Sequence, residues 1–371
     1  MSMTSEFLDR CGIEFPLFAF SHCRDVVIAV SRAGGMGVLG TARSTPDQVA
    51  TDLGEIEGAL RGKPYGVDLL LPGSDRQEQI EEVAKQVPQG YRDFVEGVLR
   101  KFGVPPGLGT MSVEQRVAGV VGGKATVAQA LKIVDVALAH EVRVFASALG
   151  APGNGFVDAV HEKGALMLGM AGSVVHARKH VEAGADVVVA QGTEAGGHTG
   201  EVGTMVLVPD VVDAVAPVPV LAAGGIADGR QIAAALALGA AGVWTGSVWL
   251  TTTESDLDPA VKEKLIVATA RDAIRSRAMT GKPARQLRTA WIDAWEGPDA
   301  PPPLRMPLQG VLVEEAQMRI AQHHVTELMG TPVGQVVGRL SSVRPAARVV
   351  QELMEGAGDA AGKLAGWAKG G

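Results

Sequence analysis

The sequence predicts an α/β fold, a (β/α)8 TIM barrel, on three observations. Eight short apolar runs recur between Phe15 and Leu250, and amphipathic stretches separate most of them. Within each run the apolar residues stand at successive positions rather than alternating. Strands read that way when a parallel sheet is covered on both faces. Strand and helix in regular alternation give such a sheet, and eight units close it into a barrel. A doubly wound sheet is the runner-up, but no glycine fingerprint follows the first run.

Taken in order, the runs are residues 15–20, 35–40, 64–72, 143–150, 165–171, 186–192, 219–225 and 242–250. The stretches 24–33, 44–60, 173–183 and 230–238 carry apolar residues at helical spacing and read as crossover helices. One connection is anomalous: about seventy residues separate the third and fourth runs, where roughly twenty suffice elsewhere. Residues 75–101 read as two helices broken at 88–90, residues 104–109 as a turn-rich break, and 127–139 as the helix returning to the barrel. The chain therefore divides into a barrel (1–74 and 124–253), an inserted helical subdomain (75–123) and a helical C-terminal extension (254–371). The insertion leaves from the C-terminal end of a strand, which makes it a lid over the site, a shaped substrate pocket or an oligomer contact. In the extension, helices are expected at 259–270, 314–326 and 333–354, with a stiff proline-rich loop at 296–304 and a fraying end at 359–371.

Composition excludes several classes. Apolar residues make up 46 %, enough for a large core, and the chain is not disordered. Lys and Arg number 34 against 41 Asp and Glu, a net charge of −7, so no basic surface is offered to nucleic acid or anionic lipid. Aromatics at 4 % leave little for base stacking. No apolar run reaches membrane-spanning length, and the first residues do not read as a signal peptide. The two cysteines, Cys11 and Cys23, form neither a metal pattern nor a disulfide framework, which fits a reducing cytoplasm.

Three segments carry chemistry. Gly224 and Gly225 end the seventh run, and Gly246 and Ser247 lie in the eighth. At those two strands a barrel commonly binds one phosphate through backbone N–H groups, and glycine lets the chain approach the anion. The alternative is that the glycines only make tight turns. The sharpest segment is Gln191-Gly-Thr-Glu-Ala-Gly-Gly-His-Thr-Gly200, directly after the sixth run. The Gln191 amide both donates and accepts, which suits the edge of an isoalloxazine ring. Gly196 and Gly197 permit a tight turn, and His198 is carried to the mouth, where it can move a proton or stabilise an anion. His22 and Cys23 close the first strand at the same face; with Phe20 they are candidates for substrate contact, though free cysteine is more often a small buried hydrophobe. His323 and His324 are adjacent on an expected helix and point apart, which argues against a shared metal.

The run Gln191–Gly200 resembles the signature of the nitronate monooxygenase family, formerly called 2-nitropropane dioxygenases. Residues 33–40, 222–229, 239–246 and 334–338 support the resemblance. It implies an FMN-binding (β/α)8 barrel, with Gln191 on the ring or ribityl chain and Gly224, Gly225, Gly246 and Ser247 on the phosphate. Ala19 would line the ring, and His198 would be the active-site histidine, carried by Gly196 and Gly197. The sequence departs from the family where the first strand ends Phe18-Ala-Phe-Ser-His-Cys23, and where the third strand offers Asp68 in place of an Asn that faces FMN.

Three functions follow as expectations. The first is an FMN-dependent nitronate monooxygenase using O2. The second is an NAD(P)H-dependent FMN reductase of enoyl-thioester or quinone type, since flavin-containing enoyl-ACP reductases carry a similar Glu-Ala-Gly-Gly-His segment. The third is a non-catalytic flavin-binding protein. The partners are then a small-molecule substrate, O2 or NAD(P)H, and a second copy of the chain in a homo-oligomer.

Overall fold

The computed structural model describes residues 3–42, 44–69, 86–107, 127–147 and 150–368. Eight parallel strands close into a barrel: β1 (Leu17–Ser21), β2 (Met36–Gly40), β3 (Gly66–Leu69), β4 (Val144–Ser147), β5 (Leu166–Ala171), β6 (Val187–Gln191), β8 (Val220–Ala223) and β9 (Gly242–Thr245). Each of the eight apolar runs carries one of these strands. The ring shuts where Leu17 pairs with Val243 and Ala19 with Thr245. The eighth strand is shorter than its run, because Gly246 breaks out of the extended region and a 3-10 turn, Ser247–Trp249, follows.

Alternation hidden in the sequence becomes visible in the packing. Phe18, Met36, Val38, Val144, Leu168, Val189, Leu221 and Trp244 fill the barrel interior. Their strand neighbours Leu17, Ala19, Val188, Ala190, Ala222 and Val243 pack outward against the helices. Both sets are apolar, so period two leaves no mark on the chain.

The helices start where local chemistry lets them. Thr45 and Gln48 form a capping box at Pro46–Leu60, and Pro46 supplies a preset φ at its first position. Ser173 and Asp228 cap Val174–Glu182 and Gly229–Ala237. Helices Asn154–Glu162 and Thr204–Val215 fill two further crossovers, and Met3–Cys11, ahead of the first strand, was not expected from the sequence.

Beyond β9 the chain differs most from its sequence reading. The antiparallel hairpin β10 (Ala273–Ser276) and β11 (Ala284–Leu287) adds the two-residue strand β7 (Gly197–His198), giving a small sheet in the order β10-β11-β7. Neither hairpin strand, Ala-Ile-Arg-Ser or Ala-Arg-Gln-Leu, forms a contiguous apolar run that would mark it in the sequence. The expected helix at 314–326 runs over Leu308–Gln322. The one at 333–354 is two pieces, a 3-10 turn Gln335–Arg339 and a helix Ala346–Ala368, separated just before by Pro345. That helix continues through the residues expected to fray, as far as Ala368.

Within the insertion, residues 75–85 and 108–123 lie outside the described residues. The described part holds helix Gln89–Lys101, which packs on the extension. Val95, Val98 and Leu99 share a core with Trp291, Trp295, Leu312 and Ile320. The buried Arg319 guanidinium reaches the Glu96 carboxylate, and its Nε donates to Pro105 O at 2.9 Å. Among the described residues no helix is long and apolar enough to cross a membrane.

Candidate active site

The interior row of each strand ends at the C-terminal mouth. Positions 18 and 20 of β1, 66 and 68 of β3, and 187, 189 and 191 of β6 point inward in turn. Phe20, Asp68 and Gln191 therefore stand at the mouth together, and Gly40, paired with Asp68, stands between the first two. Phe20 stacks on Trp244 at 6.1 Å and meets the His22 ring edge-on at 5.1 Å. His22 is exposed and its Nδ1 lies 2.9 Å from Gly40 O. Ala19 is placed differently: it is fully buried and packs with the helix layer. Any contact from Ala19 to a ligand would run through its backbone.

Asp68 is half-buried, but its Oδ1 is sealed from water and has no hydrogen-bond partner among the described residues. A charge there could not be solvated. Burial accordingly pushes its pKa from 3.8 up to about 8. The shift favours the neutral acid near pH 7.

The loop after β6 is held on both sides. Glu194, which the sequence offered as part of the motif, is structural. Its carboxylate accepts from Thr204 N at 2.9 Å and from Thr204 Oγ1 at 2.8 Å, and so caps helix Thr204–Val215, whose N-cap Gly203 has no side chain to do so. From the other side Arg285 donates to Thr193 O at 3.1 Å and Arg275 to Thr199 O at 3.4 Å. Across β7, His198 pairs with Ala284 and Gly197 with Arg285. Gly197 takes φ +75° in doing so, which a side chain would strain.

His198 stands exposed at the mouth, and its Nε2 lies 2.8 Å from the hydroxyl of Thr280. Partial enclosure of the ring, and then the nearby Lys282 ammonium, hold its pKa below the usual histidine value. It is a neutral base at pH 7. Sequence reasoning missed Thr280, Lys282, Arg275 and Arg285, because they come from the extension about eighty residues away, where no local pattern marks them.

The phosphate candidates also converge. Gly224 and Gly225 take φ +95° and +70°. A Cβ on Gly224 would sit 2.9 Å from Gly192 O, and one on Gly225 3.4 Å from Glu194 Cβ. A cleft of about 560 Å³ opens beside Gly225, so a ligand can reach the backbone there. Ser247 Oγ accepts from Gly334 N at 2.8 Å and keeps its own proton to donate. The free Ser247 proton and the orphaned Asp68 oxygen are polar groups left for a ligand, and they fit a flavin.

Other candidates fall away. The Cys23 thiol is buried and donates to Glu254 O at 3.0 Å, and burial raises its pKa. Cys11, likewise buried, is pushed up to about 12. His323 and His324 lie past the helix end, and His324 Nε2 pairs with Asp258 at 2.9 Å. Among the described residues no cluster could hold a metal ion.

Comparison with known proteins identifies the family. A family model described as nitronate monooxygenase matches residues 12–356. A Mycobacterium tuberculosis protein named as a monooxygenase is 50 % identical over 98 % of this chain and 99 % of its own length. The solved structure of a nitroalkane oxidase from Streptomyces ansochromogenes is similar with a TM-score of 0.78 and 28 % identity, covering 96 % of this chain and 99 % of that one. FabK from Thermotoga maritima is similar with a TM-score of 0.74 and 28 % identity, covering 98 % of each chain.

Proposed function

The chain belongs to the nitronate monooxygenase family and is an oxidoreductase, and from that premise we propose that it binds FMN at the barrel mouth and oxidises alkyl nitronates with O2. One observation carries the reading: His198 is fixed on a glycine loop above a mouth where Gly224 and Gly225 turn at positive φ beside an open cleft. Gly224, Gly225, Gly246 and Ser247 would hold the phosphate, and Gln191 and Asp68 the ring and ribityl chain. When bound, FMN supplies the electron acceptor for the nitronate and the site where O2 is then reduced.

The protein's own groups prepare that chemistry. Lys282 brings a positive charge toward His198, which draws an anionic nitronate to the mouth. Asp68, being neutral, does not repel it. His198 orients the anion, or takes the proton from carbon when the substrate arrives as a neutral nitroalkane. The Phe20 and Trp244 rings line the apolar side of the site.

A second reading, an NAD(P)H-dependent FMN reductase of enoyl-thioester or quinone type, is favoured by the Glu194–His198 segment it would share. Anaerobic mixing decides between them. Propionate-3-nitronate alone is expected to bleach the visible flavin absorption. Bleaching by NADH or NADPH alone would favour the reductase. A colourless protein that takes up no FMN would overturn both. His198→Asn is expected to retain flavin and slow bleaching at least tenfold; loss of flavin from that variant would make His198 structural.

A further inference from the structure

We propose that Thr280 is the positioning residue of His198: its hydroxyl holds the imidazole as the Nε2–H tautomer and leaves Nδ1 as the ring atom that takes a proton. The proposal rests on the reading of His198 as the active-site base and names the atom through which it acts.

The argument is a count of protons. Thr280 Oγ1 has one proton to give and two lone pairs. Three groups surround it: His198 Nε2 at 2.8 Å, Lys282 O at 3.1 Å and Lys282 N at 3.3 Å. The carbonyl can only accept, and the amide can only donate. If the hydroxyl proton goes to Lys282 O, then Oγ1 accepts from both Lys282 N–H and His198 Nε2–H, and three hydrogen bonds form at the hydroxyl. If it goes to Nε2 instead, Lys282 O loses that donor. The ring proton must then sit on Nδ1, for which no described residue is an acceptor. The first arrangement makes three hydrogen bonds at the hydroxyl and the second two, so the first wins.

The hydroxyl is well fixed for this task. Thr280 is buried in the turn joining β10 to β11. Gly281 takes φ +79° where a Cβ would lie 2.1 Å from Leu304 O, so the turn is seated closely on the chain behind it. Gln309 Nε2 donates to Ala278 O at 2.9 Å, and Ala278 belongs to the core that unites the insertion with the extension. The charges on the hairpin are Arg275, Arg277, Lys282 and Arg285. On the loop, Glu194 is committed to Thr204 and Glu201 lies beyond Gly200.

The test begins with long-range nitrogen–proton NMR of protein labelled with 15N-histidine, the His198 signal being assigned by its loss in His198→Gln. The wild-type ring is expected to show Nε2 protonated and Nδ1 bare at pH 8. Thr280→Val is expected to show mixed tautomers and unchanged flavin content. Its turnover should fall about tenfold or more with KM within about twofold, and Thr280→Ser should restore both. A wild-type ring protonated on Nδ1 would overturn the proposal whatever the variants do. So would a folded Thr280→Val with wild-type tautomer and turnover. Should His198→Gln react as fast as wild type while the wild-type ring is Nε2–H, the function of His198 fails and the catalytic part of the proposal falls with it, whereas the ring assignment stands.

Discussion

At the mouth of the barrel one oxygen atom sets the local charge. Asp68 Oδ1 is sealed and has no partner among the described residues, and burial pushes the carboxyl pKa up to about 8. The folded state then binds a proton that the unfolded chain has released above 3.8, and stability falls as pH rises from about 4 to about 8. Asp68→Asn removes this penalty and keeps a donor. Its melting temperature is expected to exceed wild type at pH 8, with the gap closing near pH 4, and its flavin content to be retained; thermal scans at the two pH values check this. Lys282 acts on the second titrating group. Its charge helps hold the His198 pKa down, so Lys282→Met should raise it and move the acid limb of the kcat/KM profile to higher pH. An unmoved limb would show that His198 is not the group titrating there. Both side chains were visible as letters. The sealing of one and the neighbour of the other were not, because each depends on residues distant along the chain.

Elements meet through close backbone approaches that fix where the site's parts lie. The helix Gly229–Ala237 follows the phosphate-side strand β8, and it crosses the C-terminal helix Ala346–Ala368 at Gly229. A Cβ there would lie 2.2 Å from Ala357 N and 2.3 Å from Gly356 C, both backbone atoms. Gly229→Ala should therefore force the helices apart and cost about 1–3 kcal/mol, read from chemical unfolding midpoints. The hairpin plays the matching part on the other side, where β11 pairs with β7 and carries the loop of His198. Behind it, Phe94 of the insertion meets Trp295 edge-on at 4.8 Å, so the described part of the insertion buttresses the hairpin.

For the molecule as a whole, the extension completes the core. Val349, Val350, Leu353 and Ala357 of the last helix are buried with Ile232 and Ala235 of the barrel shell. Each large apolar side chain contributes about 1.5–3 kcal/mol on burial, so the three together approach the total stability of roughly 5–15 kcal/mol typical of a domain. A chain ending before Ala346 is expected to lose cooperative thermal unfolding by circular dichroism and to give little soluble protein. A sharp wild-type melting transition would show instead that the barrel stands alone.

The sequence by itself determined the eight strands, the first four crossover helices named for it, and the glycine–histidine segment, because each is written in contiguous residues: apolar runs of strand length, helical periodicity, and small residues where backbone must turn. It also placed Asp68 and Gln191 on strands of the barrel. Only the tertiary structure decided which strand residues face inward, since both faces are apolar. The three-dimensional fold also decided that Ala19 turns toward the helices, that Glu194 caps a helix, and that a hairpin from the extension delivers Thr280 and Lys282 to His198. Those are long-range pairings, and their partners share no local pattern that a reading along the chain can detect.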